Sequence, residues 1–219
     1  MNTLRFSFSY TTNMYTHVNG EEIDIFQKPA RLVVTGSSHS GKSFWCANLI
    51  RKYNKSFEKI VVIGAEFENL SDLPIIYDDN FDALAIQDPS PTLLVYDDSI
   101  FRKDRISKAA EIFARGRHKK ISIILISQTL YPNCDRFRMC ALNATHYILF
   151  RIRDITQVCR FSSSFIQKEQ KEDFINLYKR EVTGKKFGYL LLDYLVDPSS
   201  PLAIRNNIVE PGYERAFQL

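Results

Sequence analysis

Residues 33–44 read VVTGSSHSGKSF, and the reading of this stretch decides the fold. Two glycines, Gly36 and Gly41, bracket Ser37, Ser38, His39 and Ser40, and Lys42-Ser43 follow at once. Glycine lets the backbone curl so that successive N–H groups point inward, and an anion is what such a ring of donors accepts. A helix opening near Lys42 adds its positive N-terminal dipole. The flanks supply that setting. Leu32–Thr35 is a short β-rich run, and KSFWCANLIRKY places Phe44, Ala47, Leu49 and Ile50 at helical spacing. Strand, glycine loop and helix complete the context in which Gly-x-x-x-x-Gly-Lys-Ser is a Walker A phosphate loop and not a plain Gly/Ser turn. In that reading residues Gly36 to Phe44 surround the phosphates of ATP. Lys42 reaches the β- and γ-phosphates, and the Ser43 hydroxyl ligates Mg²⁺.

Working outward, further apolar runs occur at Ile60–Ile63, Thr92–Tyr96 (TLLVY), Ile121–Ile126 (ISIILI) and His146–Phe150 (HYILF). They are continuous and do not alternate, as expected of strands buried on both faces of a mainly parallel sheet. Arg105–Arg115 and Gln167–Arg180 have helical patterning, the second with Phe174, Ile175 and Leu177 on its apolar side. KKFGYLLLDYLVDPSSPLAI, residues 185–204, reads as strand, turn and strand at one edge, with Pro198, Ser199, Ser200 and Pro201 in the turn. The expected fold is α/β, a three-layer α/β/α P-loop NTPase with a mainly parallel central sheet. Residues 1–30 read as an N-terminal arm or short strands, and 31–219 as a single ATPase domain.

Composition narrows the class without choosing within it. The 219 residues are 45% hydrophobic and 25% charged, ordinary for a globular domain. No apolar run reaches the roughly 18–20 residues that span a bilayer, and MNTLRFSFSY lacks a signal-peptide pattern. Cys46, Cys134, Cys140 and Cys159 form no CxxC pair, so reduced thiols in an intracellular setting are expected. A net charge of +4 is compatible with a nucleic-acid partner without demanding one.

A phosphate loop needs a carboxylate for its metal, and TLLVYDDSI provides a pair at the end of an apolar strand. Ligands bind at that edge of open α/β sheets. Asp97 is the candidate Mg²⁺ carboxylate, and Asp98 the candidate that orients the attacking water. An Asp pair opening a turn before a helix is the plainer alternative. The next strand ends in Ser127-Gln128, and an amide at its tip can sense whether the γ-phosphate is present. No Asn-Lys-x-Asp for reading guanine exists in the chain, which argues against a GTPase. A nucleotide or nucleoside kinase uses the same loop and stays open at this point, as does a nucleotide-binding scaffold without turnover.

GSSHSGKS, LLVYDDS, ARGRHKKISIILISQTLYP, LNATHYILFRIRD and KKFGYLLLDY follow one another along the chain. In this order they resemble the poxvirus-type viral genome-packaging ATPases of the FtsK–HerA superfamily, which also occur in Polinton-like elements, over roughly residues 30–210. His39 departs from the small residues usual in the loop. The resemblance implies a homo-oligomeric ring, pentamer or hexamer, that drives double-stranded DNA of any sequence into a preformed capsid and meets capsid vertex proteins. It implies action at viral assembly sites inside the host cell, cytoplasmic or nuclear, or in association with the virion. A related DNA-pumping ATPase not tied to a capsid is the neighbouring alternative. Such rings supply an arginine from the adjoining subunit, for which Arg115 and Arg117 are the candidates; the plainer alternative is basic residues favoured by the dipole at a helix C-terminus, with Gly116 as its cap. DNA phosphates would meet Arg102, Lys103 and Arg105, or Lys119 and Lys120, or Arg136 and Arg138.

Overall fold

The computed structural model describes residues 15–17, 24–64, 66–85, 89–97, 102–200, 202–210, 214–217 and 219. Asp98, the candidate catalytic carboxylate, lies outside the described residues. In chain order the strands are β1 (Tyr15–His17), β2 (Arg31–Thr35), β3 (Lys59–Ile63), β4 (Ile75–Tyr77), β5 (Thr92–Tyr96), β6 (Ile121–Ser127), β7 (His146–Phe150), β8 (Tyr189–Asp193), β9 (Ile204–Asn206) and β10 (Arg215–Phe217). The helices are α1 (Lys42–Tyr53), α2 (Lys103–Arg115), α3 (Asp135–Asn143), α4 (Ile155–Phe165) and α5 (Lys171–Tyr178), the last running into a π turn over Lys179–Thr183.

All ten strands form one sheet in the order β1-β10-β9-β8-β7-β2-β6-β5-β3-β4. From β7 to β4 every pairing is parallel, and from β7 to β1 every pairing is antiparallel. The parallel half is built from the continuous apolar runs. β5, β6 and β7 are buried at every position, and successive side chains supply opposite faces. In β2, Leu32 and Val34 join the core around α1, whereas Val33 joins the core around α2 to α5. Two apolar layers therefore sandwich the sheet, and the expected three-layer α/β/α class is what is observed. No described helix is long and apolar enough to cross a membrane.

Two expected helix faces differ in outcome. On α5, Phe174 and Leu177 are buried, as their spacing predicts, and Ile175 is partly buried against the same core. On α1 the buried apolar side chains are Trp45, Cys46, Ala47, Leu49, Ile50 and Tyr53, while Phe44 stands 54% exposed. It occupies the first turn, where the helix emerges from the sheet edge, and α2 to α5 pack on the opposite face.

Candidate nucleotide-binding site

The phosphate loop leaves the C-terminal end of β2 and is gripped from both sides. Thr35 lies in register with Ser127 of β6, and the Gly36 N–H donates to the Ser127 carbonyl at 3.2 Å. On the β7 side the Ser37 N–H donates to the Arg151 carbonyl at 2.8 Å, and the Arg153 N–H donates to the Ser37 hydroxyl at 3.1 Å. Gly36 is required by close approach, since a Cβ there would come within 2.5 Å of the Phe150 Cβ. Gly41 has φ 100°, the left-handed region that glycine alone enters at no steric cost. As the N-cap of α1 it brings no side-chain cap, so the first-turn amides keep their donor capacity for an anion. His39 also has positive φ, 61°, and its side chain is exposed.

Lys42 is buried and its ammonium donates to the Gly36 carbonyl at 2.6 Å and the Ser37 carbonyl at 3.0 Å, bracing the loop around itself. Asp97, at the tip of β5, is 9% exposed and its N–H donates to the Ile63 carbonyl at 3.0 Å. Both charges act on the Cys46 thiol in the second turn of α1. Burial pushes that thiol well up, the Asp97 carboxylate pushes it further, and Lys42 opposes them. Lysine and carboxylate thus both lie within electrostatic reach of the same residue of α1. The exposed Ser43 hydroxyl and the Asp97 carboxylate are hard oxygen donors at the same edge, a set that suits Mg²⁺, which takes one or two protein ligands and otherwise phosphates and water.

β6 lies between β2 and β5, so its tip falls between the loop and the acidic strand. The Ser38 hydroxyl donates to Oε1 of Gln128 at 3.2 Å. The amide therefore touches the loop, where a sensor would have to be. Ser127 is buried, and its hydroxyl closes the following turn on the Thr129 carbonyl at 2.6 Å.

Arg115 and Arg117 are not brought to this site. They precede β6 and sit at its start, about 20 Å from its tip for a seven-residue strand. Arg115 pairs with Glu111 and Arg117 is exposed, close enough to Arg31 to help lower that guanidinium's pKa, burial being the larger cause. Of the basic groups proposed for DNA, Arg105 is unsuitable. It is 8% exposed and ion-paired with Asp79, which also accepts the Gly64 N–H at 3.0 Å. Arg102, Lys103, Lys120, Arg136 and Arg138 are exposed. The sequence reading gave no role to the turn after β7, where Ile152 is fixed by the Tyr178 hydroxyl, or to Phe187 beside Gly41. The only sequence signal for the latter is an aromatic residue before a glycine.

No protein-family model matches the chain, and no curated protein matches it. Among solved structures it resembles the genome packaging NTPase B204 from Sulfolobus turreted icosahedral virus 2 in complex with sulfate. That likeness has TM-score 0.55 and 21% identity, and covers 77% of this chain and 93% of that one. The same protein in complex with AMPPCP matches with TM-score 0.54 and 20% identity over 77% and 95% of the two chains. B204 from Sulfolobus turreted icosahedral virus, described as the DNA-packaging ATPase, matches with TM-score 0.55 and 18% identity over 77% and 94%. With a phosphate loop, an acidic strand and a glutamine-tipped strand between them, the fold of this chain is the α/β P-loop fold of those packaging NTPases.

Proposed function

We propose that this chain is the ATP-hydrolysing subunit of a motor that drives double-stranded DNA into a preformed viral capsid, as a member of the FtsK–HerA packaging ATPases. The observation that carries the reading is the contact of Gln128 with Ser38, at the tip of a strand placed between the phosphate loop and Asp97. An amide there stands between the loop that would hold the terminal phosphate and the strand that carries Asp97. Lys42 and the loop amides hold the triphosphate, and Asp98 orients water for in-line attack. Ser43 and Asp97 would hold Mg²⁺, which neutralises charge on the β- and γ-phosphate oxygens when bound.

Charge developing on the transferred phosphoryl group also calls for a cation beyond Lys42. Arg115 and Arg117 stand too far from their own loop for that task, so an arginine from this turn would serve a neighbouring subunit in a homo-oligomeric ring of five or six. DNA phosphates would meet exposed Arg102, Lys103, Lys120, Arg136 and Arg138, contacts that carry no sequence preference. The likeness to structures of a DNA-packaging ATPase supports this assignment over a kinase.

The test is ATP hydrolysis by the full chain, with and without double-stranded DNA, beside Lys42→Ala and Asp98→Asn. DNA-stimulated turnover that both variants lack is expected. Phosphoryl transfer to a small acceptor, indifferent to DNA, would replace the motor with a kinase.

A further inference from the structure

We infer that Arg153, on the turn after β7, is a cation for the phosphates of a nucleotide held by its own subunit's loop, with Tyr178 as the positioning residue behind it. This rests on the reading of that loop as a triphosphate site. The loop touches the turn at three points. Gly36 has no room for a side chain against Phe150, the last residue of β7. The Ser37 N–H donates to the Arg151 carbonyl at 2.8 Å, and the Ser37 hydroxyl accepts the Arg153 N–H at 3.1 Å. Ile152, between the two arginines, is turned inward and 7% exposed, while Arg151 and Arg153 are both exposed. An arginine side chain is longer than the gap those hydrogen bonds close, so a guanidinium on this turn can reach an anion on the loop. Its fork of donors matches phosphate oxygens two at a time.

Of the two arginines, Arg153 is the one left for a ligand. It has no ion-pair partner among the described residues. The carboxylate beside it in the chain, Asp154, is engaged as the N-cap of α4. It accepts the Thr156 N–H at 2.9 Å and the Thr156 hydroxyl at 2.6 Å, and these bonds hold it below the usual carboxylate range. The charge of Arg151 instead acts on the Tyr178 hydroxyl, which burial pushes up and Arg151 opposes.

Tyr178 makes the mount rigid. It is fully buried at the end of α5. Its hydroxyl accepts the Ile152 N–H at 2.7 Å and donates to the Phe150 carbonyl at 3.2 Å, so one oxygen fixes the backbone on both sides of Arg151. At the next residue, Lys179, the helix changes to a π turn, a distortion frequent at functional sites. Core, turn and loop are thereby tied in series, from the Tyr178 oxygen through Arg153 to Ser37. Arg153 offsets phosphate charge from within its own subunit, unlike Arg115 and Arg117 at the far end of the sheet.

The experiment is calorimetric binding of ATP and of inorganic tripolyphosphate, each with Mg²⁺, to the full chain, with double-stranded DNA binding followed by fluorescence anisotropy. The variants are Arg153→Met, Arg153→Lys, Tyr178→Phe, Arg153→Met combined with Tyr178→Phe, and Lys42→Ala. Arg153→Met should weaken ATP and tripolyphosphate alike, roughly tenfold to a hundredfold, as loss of one charged hydrogen bond does. Arg153→Lys should recover part of that loss. Tyr178→Phe keeps the buried ring and should weaken both ligands severalfold in the folded chain, with no further loss when added to Arg153→Met. Unchanged affinity in Arg153→Met, or a loss confined to ATP or to DNA, overturns the phosphate contact and leaves the loop standing. Additive losses in the double variant overturn the role of Tyr178. Hydrolysis regained on mixing Arg153→Met chains with Lys42→Ala chains would place the arginine on a neighbour's nucleotide and overturn the same-subunit assignment. Failure of the parent chain to bind either ligand, or full binding of both by Lys42→Ala, overturns the phosphate reading itself.

Discussion

The two halves of the sheet use charge in opposite ways. At the open edge of the parallel half, Lys42 is wrapped by carbonyls of its own loop, with exposed Ser43 beside it and Asp97 close by. In the antiparallel wing, Arg205 is wholly buried between Asp193 and Glu214, each at 2.9 Å. His146 approaches Asp193 at 3.5 Å. Glu181 accepts from Asn206 at 3.0 Å and pairs with Arg180 and Lys185. These wing charges are matched inside the protein, where leaving any one of them alone is costly. The loop instead gathers donors and a cation at a place that an anion can reach. One set of charges fixes shape and the other is arranged for a ligand, so substitutions in the two should fail in different assays.

The comparison is tested hardest at Arg205. Arg205→Met removes the ion-pair partner of buried Asp193 and half-buried Glu214 and should lower unfolding free energy by about 3 kcal/mol, read from urea denaturation, with ATP affinity of the folded fraction kept. Lys42→Ala is the mirror case. Turnover should fall by roughly 10²–10³, about 2.7–4 kcal/mol, with a much smaller loss in the same urea titration. Next comes Gln128→Ala. Removing an exposed amide should cost the hydrolysis barrier about 1.5–3 kcal/mol, measured as phosphate release, with ATP binding and stability little altered. Loss of ATP affinity instead would make Gln128 a binding group and not a sensor.

The smallest effect concerns pH. Burial works against ionised Asp193, yet hydrogen bonding and charge from His146, the Leu195 N–H and Arg205 together hold it below the usual range. Glu181 is likewise held low, against burial, by Lys185 and Arg180. Carboxylates depressed in the folded state contribute stability above their unfolded values, about 3.9 for Asp and 4.3 for Glu. That contribution disappears as pH falls through the folded values. The urea midpoint should therefore drop below about pH 4, and Asp193→Asn should flatten its part of the decline.

What could be read in advance was whatever depends on local chemistry. The phosphate loop needs its glycines and lysine in fixed order, and fully buried parallel strands need unbroken apolar runs, so β2, β3 and β5 to β8 were visible. Strands of three residues, such as β1, β4 and β10, are too short to show a period. Helix α3 buries only Phe137 and Cys140, a faint stripe. Helix α4 hides behind Ser162, Ser163 and Ser164, which resemble a loop. Their hydroxyls instead donate to carbonyls three or four residues back, at 2.8, 3.2 and 2.7 Å. Arg105 looked like one of several surface cations because its partner, Asp79, lies 26 residues away. The Ser38–Gln128 contact spans 90 residues and could be expected only by assuming which strands are neighbours.

The seven residues of β6 are all buried, Ile121–Leu125 paired with β5 and Ile123–Ser127 with β2. A close-packed strand has no slack, so a push on one end arrives at the other. β6 is therefore a stiff spoke running from the hub, where Gln128 meets the loop, to the rim, where the Gly116–Lys119 turn carries Arg117. In the proposed motor, this strand is the direct link between the phosphate end of the sheet and the turn that carries Arg117.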